Sequence, residues 1–306
     1  MTIDTHDWQV LTSSQGQRLG AEPGAAGSST SDYWPGVTRK YVHGYSQRET
    51  LRLQEQSAIL EDLLHHDTSY PPGSRVLEAG CGVGGQTILL AARSPQAEFT
   101  SIDVSRESLV VAAATMAQRG VGNVRFYHAD VINMPFRAES FDHVFVCFLL
   151  EHLDEPLGAL AVLRSVLKPG GTITVIEGDH GSCFWHPQTR ESLQAWHSLI
   201  ASQFHLGHDP LIGRKLCPLL TQADFDVREA TPRWVYTDSR NPGLRDGVLN
   251  KIIVPMTQTA RQQALDLGII DKHTFDTGID DLRRSGMPPD GTFFYTWFKA
   301  VGVKRS

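Results

Sequence analysis

Residues 76–85 read VLEAGCGVGG, an apolar run that ends in a burst of glycines. Gly80, Gly82 and Gly85 satisfy G-x-G-x-x-G, while Glu78, Gly80, Gly82 and Gly84 satisfy E-x-G-x-G-x-G. Glycines after a buried strand let the backbone turn sharply and approach a ligand, and the helix that follows presents unpaired N–H groups. Spacing alone leaves two owners. One is an NAD-dependent oxidoreductase, whose ribose would meet an acid about twenty positions on, here Asp103.

Outward from this stretch, strands and helices alternate. SRVLEAG, EFTSIDV, VRFYHAD, FDHVFVCFLL and GTITVIEGD read as strands; GGQTILLAARS, SRESLVVAAATMAQRG and EPLGALAVLRSVL read as helices. Continuous apolar strands alternating with helices imply a mainly parallel sheet covered on both faces. Upstream, SQRETLRLQEQSAILEDLLHH predicts a helix, with Ser46 and Glu49 as a capping box. Residues 1–35, rich in Gly, Ser, Ala and Thr, predict a disordered tail, and 36–306 a single domain.

Past Gly178 the pattern loosens. Residues 187–206 and 210–223 predict helices, while DVREATPRWVYTD and the closing TFFYTWFKAVGVK predict long strands. The mostly helical stretch 241–291 between them exceeds an ordinary connection and reads as a functional cover. Segments 180–222 and 241–291 are therefore expected to form a lid.

Composition narrows the partners. The 306 residues are 41% hydrophobic and carry a net charge of −6 with Lys and Arg scattered, so nothing attracts a nucleic acid. No apolar run approaches the roughly 18 residues of a membrane span, and no basic-then-apolar leader opens the chain. A soluble, cytoplasmic protein is expected. Cys81, Cys147, Cys183 and Cys217 lie far apart without C-x-x-C, and His180 and His186 match no zinc spacing, so no metal site is expected.

Three features decide between the two glycine readings. Glu78 stands at a strand end, where a buried acid needs a donor. Asp130 in HADVINMPF supplies a second carboxylate one strand beyond Asp103. The chain also closes with two strands instead of a substrate domain. Together VLEAGCGVGG, SIDVS, HADVINMPF, DHVFVCFLLEHL and KPGG resemble the class I S-adenosylmethionine-dependent methyltransferases of the small-molecule branch, over about 41–178 plus the final strands.

The resemblance implies an α/β fold, a doubly wound, seven-stranded, mainly parallel Rossmann-like sheet with helical lid insertions, and S-adenosylmethionine as cofactor. It implies that Ala79, Gly80, Gly82 and Gly84 let the loop pass under the cofactor's methionine and ribose, with Glu78 orienting that loop and the ammonium. Asp103 would accept the ribose hydroxyls and Val104 would pack on the adenine. Asp130 would take the adenine amine beside Ala129 and Val131, Phe148 would line the sulfonium end, and Tyr41 would fold over the carboxylate.

Methyl transfer asks the protein to align nucleophile, carbon and sulfur, to exclude water, and to remove a proton where the nucleophile carries one. His180, after a strand end and titrating in the useful range, is the expected general base. His152, Glu177, Trp185, Arg214 and Tyr295 are expected near the substrate, a small molecule of unspecified acceptor atom. A non-catalytic S-adenosylmethionine-binding protein remains the second alternative, and the oligomeric state is open.

Overall fold

A computed structural model of the chain describes residues 10–12, 47–287 and 289–305, with the backbone alone for 10–12, 47–50 and 54. Tyr41, Ser46 and most of the expected tail lie outside the described residues. Three residues of that tail, Val10–Thr12, form strand β1 and pair antiparallel with a strand of the main sheet.

The sheet is built from β2 (Arg75–Ala79), β3 (Glu98–Asp103), β4 (Val124–His128), β5 (Phe141–Cys147), β6 (Leu167–His186), β7 (Phe225–Thr237) and β8 (Thr292–Lys304). Its order is β1-β4-β3-β2-β5-β6-β8-β7. The five strands from β4 to β6 run parallel, and β8 enters antiparallel between β6 and β7. Order reverses between β2, which pairs with β3, and β5, which lies on its other side, leaving a crevice at the strand C-termini where open α/β sheets bind ligands.

Helices α2 (Gly85–Arg93), α3 (Arg106–Gln118) and α4 (Pro156–Val166) connect the parallel strands. Alternation along β2 sends Val76 into one apolar layer and Leu77 and Ala79 into the other. The first layer also holds Leu60 and Leu64 of helix α1 (Gln47–His65). No helix among the described residues is long and apolar enough to cross a membrane.

Two local expectations change. KPGG is not a free turn before β6. Leu167 already pairs with Phe141, and the ladder resumes at His143 and Thr172 across a bulge in which Gly170 has φ 75°. The expected lid segment 180–222 also starts as strand. After an irregularity between Asp179 and Phe184, β6 continues to His186 because Phe184 and Trp185 face Phe294 and Phe293 of β8 across the ladder. Such aromatic pairs stabilise a sheet extension.

Helices α5 (Arg190–His205) and α6 (Leu216–Gln222) follow, and α7 (Pro242–Asp246), α8 (Val254–Thr259), α9 (Arg261–Asp266) and α10 (Lys272–Ser285) fill the 241–291 segment. α5 begins with a capping box in which Thr189 and Ser192 exchange hydrogen bonds. A π-helical stretch, Gly247–Ile253, runs into α8. Pro255 lies just beyond; it cannot donate an N–H to the turn before it and its ring crowds that turn, which suits the wider winding there. The 241–291 segment shares the apolar layer of α1 through Val248, Ile252, Ile253 and Phe275.

Candidate active site

The glycines of the β2–α2 loop have different tasks. Gly80 (φ 76°) lies under Leu149, whose Cδ1 would be 3.0 Å from an added Cβ. Gly84 (φ 80°) lies against α3, where an added Cβ would stand 2.9 Å from Ala112 Cβ. A Cβ on Gly82 (φ 52°) would meet nothing within 4 Å among the described residues. Two glycines therefore close the loop onto the protein, and the middle one faces open space. Gly85, the residue that completed the dinucleotide spacing, packs on Ser57 of α1.

Carboxylates mark the ends of the neighbouring strands. Asp103 Oδ2 accepts the Gly82 N–H at 2.8 Å and Oδ1 accepts the Ser105 N–H at 2.8 Å. Burial raises its pKa, and the two backbone donors pull the other way. Asp130 Oδ1 accepts the Ile132 N–H at 2.9 Å, closing the turn after β4 between buried Ala129 and Val131. Val104 is 43% exposed beside Asp103.

Glu78 is tied down below the loop. Its Oε2 accepts hydrogen bonds from Thr87 of α2 and Ser101 of β3, both at 2.7 Å. Burial lifts its carboxyl to about 7. Its observed task is to lock β2, β3 and the start of α2 together; the expected reach to a ligand ammonium is not carried by this oxygen.

Beyond β5 the chain turns through Phe148, a non-glycine residue at φ 56°. A bulky side chain in the left-handed region is strained, and such strain collects at functional sites. Phe148 lines a pocket together with Arg52 and Gln56 of α1, Glu151, His180, Tyr295 and Trp297; Ile252 and Met256 of the 241–291 segment complete its wall. His180 Nδ1 lies 2.6 Å from Tyr295 Oη, and the His180 ring stands edge-on to Trp196. Burial drives the His180 pKa down to about 3, with Arg52 adding to the shift. His152 is also buried, and burial lowers its pKa well below the ordinary value.

Residues 76–171 match the family profile described as a methyltransferase domain. The chain superposes on a provisionally named methyltransferase of Bacillus halodurans with a TM-score of 0.52 at 16% identity, over 82% of this chain and 99% of that one. It superposes on a Haemonchus contortus phosphoethanolamine N-methyltransferase, solved with phosphomonomethylethanolamine and S-adenosylhomocysteine, with a TM-score of 0.50 at 16% identity, over 82% of this chain and 52% of that one. The fold is that of a class I methyltransferase. In sequence, 124 residues are 35% identical to the demethylmenaquinone methyltransferase of Staphylococcus aureus, covering 40% of this chain. The chain spans about half (51%) of the length of the curated relatives it matches.

Within this methyltransferase fold, His152, His180 and Tyr295 come together at the pocket, and three other residues expected near a substrate do not line it. Glu177 is fully buried beneath it, where Oε1 accepts the N–H groups of Leu149 (3.0 Å) and Leu150 (2.7 Å) and so fixes the turn that carries Glu151. Trp185 is 4% exposed in the apolar layer and donates to Ser192 at 3.2 Å. Arg214 forms a two-pronged ion pair with Asp179, at 2.8 and 2.7 Å. Its guanidinium is thereby committed, as an isolated arginine in sequence cannot reveal.

Arg52 and Gln56 also line the pocket, and their sequence context does not mark them for it. Arg52 and Gln56 sit four apart on α1, in contact through a 2.6 Å hydrogen bond. The i, i+4 spacing of two polar residues on an otherwise apolar helix side is the one available signal. Glu151, beside His152 in the E-H-L stretch at the end of the fourth parallel strand, and Trp297, in the closing aromatic strand, are candidates the sequence itself offers.

Proposed function

We propose that this chain is an S-adenosylmethionine-dependent methyltransferase that acts on a small-molecule acceptor. The observation that carries the reading is the row of acids at successive strand ends, Glu78, Asp103 and Asp130, around a loop whose middle glycine faces open space. Asp103 would hold the ribose, Asp130 the adenine amine, and the open side of Gly82 would admit the cofactor backbone. When bound, the cofactor supplies a methyl group already activated by a positive sulfur. The chain's own residues then position the acceptor and keep water out.

The pocket described above supports an acceptor enclosed by Phe148, Tyr295 and Trp297 and capped by the cover. Gly80 packs against Leu149, the residue after Phe148, so the cofactor loop and the acceptor pocket share a wall. Ile252 and Met256 give the 241–291 segment a direct part in selecting the acceptor.

Calorimetric titration with S-adenosylmethionine and with NAD, followed by transfer of a labelled methyl group into a metabolite extract, tests the reading. Binding of S-adenosylmethionine and one dominant labelled product are expected. Binding of NAD in its place would return the loop to a dehydrogenase, and binding without transfer to any acceptor would leave a cofactor-binding protein.

A further inference from the structure

Two buried polar atoms face each other in the pocket. Glu151 Oε2 and His180 Nε2 lie 3.7 Å apart, and neither has a hydrogen-bond partner among the described residues. Their residues are 6% and 3% exposed. The gap is too long for a direct hydrogen bond, yet one polar atom about 2.8 Å from each would bridge it. Leaving both unsatisfied costs roughly 1–3 kcal/mol per group, so the pair is built to receive something.

The proton positions follow from the partners behind them. Tyr295 Oη lies 2.6 Å from His180 Nδ1, and burial keeps the phenol protonated, so its hydrogen can be donated to that nitrogen. Gly178 leaves room for this contact, since a Cβ there would lie 2.7 Å from the phenol oxygen. An imidazole that accepts at Nδ1 and is neutral carries its hydrogen on Nε2. With Tyr295 as the donor, His180 offers its Nε2–H to the pocket, with no lone pair aimed there. A ring whose pKa has fallen to about 3 is in any case a poor base near neutrality.

We propose that Glu151 takes the proton from the methyl acceptor, that the acceptor is a compact molecule bearing an ionisable hydroxyl, and that Tyr295 and His180 position its oxygen through the Nε2–H. The inference rests on the methyltransferase reading above. In the step, the acceptor O–H bond breaks and its proton goes to Glu151 Oε2. The O–C bond to the methyl forms as the C–S bond breaks, and that bond's electron pair stays on sulfur, which becomes a neutral thioether. The positive charge of the sulfonium and the negative charge of Glu151 are both consumed.

The charges around Glu151 suit this role. Burial lifts its carboxyl to about 7, Arg52 of α1 and the Gln203 amide of α5 oppose the rise, and Asp209 adds to it. Glu177 of β6, pushed further up by burial and by Glu151 itself, holds its proton and leaves Glu151 to ionise first. His152 approaches the other oxygen, Oε1, at 3.4 Å, and its own low pKa keeps it neutral. Tyr295 of β8 and Cys147 of β5, the remaining titratable neighbours, stay protonated because burial raises both.

Nuclear magnetic resonance on the isotope-labelled full chain reads the proton positions without any acceptor. The expected result is a His180 ring in the Nε2–H tautomer that does not titrate between pH 8 and 5, a tautomer mixture in Tyr295→Phe, and a carboxyl carbon with a midpoint near 7 that disappears in Glu151→Gln. In the labelled-methyl assay with the metabolite extract, Glu151→Gln is expected to lose about 100-fold or more in transfer while binding S-adenosylmethionine within about twofold of the parent. An Nδ1–H tautomer at His180, or undiminished transfer by Glu151→Gln, would overturn the proposal. Failure of the parent chain to bind S-adenosylmethionine would instead overturn the methyltransferase reading, with the resonance result standing apart.

Discussion

Gly82 donates its backbone N–H to Asp103 Oδ2 at 2.8 Å, so the middle glycine of the loop and the acid of the next strand act as one unit. With Ser105 on the other oxygen, the carboxylate is aimed before any ligand arrives. An amide in its place would turn an N–H₂ toward one of the two backbone donors. Asp103→Asn is therefore expected to lower S-adenosylmethionine affinity by about tenfold or more and stability by roughly 1.5–3 kcal/mol, the range for hydrogen bonds to a charged group. Calorimetry and urea unfolding measure the two losses. Unchanged affinity would remove Asp103 from the ribose site.

The loop glycines separate packing from ligand approach. In Gly84→Ala the new methyl meets Ala112 at 2.9 Å and the backbone is left-handed, so stability should fall well beyond the ~1 kcal/mol of the conformation alone. Gly82→Ala bears only that conformational cost, since its methyl meets no atom of the described residues. It should nevertheless weaken cofactor binding more than its stability loss explains. Paired melting and titration curves would show the contrast, and equal binding losses per unit of stability would argue against open space at Gly82 being the cofactor's path.

The alternation of apolar strands and helices from Arg75 to Gly178 was legible in the sequence because β2, β3 and β5 are largely buried on both faces, β4 alternates buried Val124 and Phe126 with more exposed residues, and the helices start at Gly84, Ser105 and Pro156. Strand-end acids were legible for the same reason: polar residues closing apolar runs stand out. What the sequence did not show was which polar side chains find each other across distant segments. Asp179 and Arg214 are 35 positions apart, and His180 and Tyr295 are 115 apart. Nothing local marks such pairs. The extension of β6 past Gly178 was hidden too, because its hydrogen-bond partners arrive only with β8 at the end of the chain.

Arg214 tests the distinction between holding a ligand and holding the fold. Asp179 is 2% exposed while the Arg214 side chain is 46% exposed, so the pair matters mainly as neutralisation of a buried carboxylate. Exposed ion pairs contribute little, but a carboxylate left unpaired in the interior costs several kcal/mol. Because the Gly181 N–H also serves Asp179, at 3.1 Å, part of that cost is covered. Arg214→Ala should destabilise by about 1–3 kcal/mol and leave the acceptor's KM within about twofold. A KM raised tenfold with stability retained would restore Arg214 as an anion holder.

His65, at the end of α1, gives the fold a pH dependence of known sign. It is 1% exposed, its Nε2 contacts Gln86 Oε1, and burial lowers its pKa to about 4 from 6.5. The unfolded chain therefore binds this proton first as pH falls, and stability from His65 is complete above 6.5 and lost progressively from there down to about 4. Between pH 7.5 and 5 the loss amounts to about 2 kcal/mol. Glu78, with its carboxyl raised to about 7, acts in the opposite sense: its contribution declines as pH rises from 4.5 toward 7. Single variants separate the two. Unfolding curves of His65→Asn should show a penalty at pH 7.5 that shrinks by about that 2 kcal/mol at pH 5, whereas Glu78→Gln should gain on the parent as pH rises. A His65→Asn penalty that stays constant across this range would mean that the ring takes up its proton at the same pH in the folded chain as in the unfolded one.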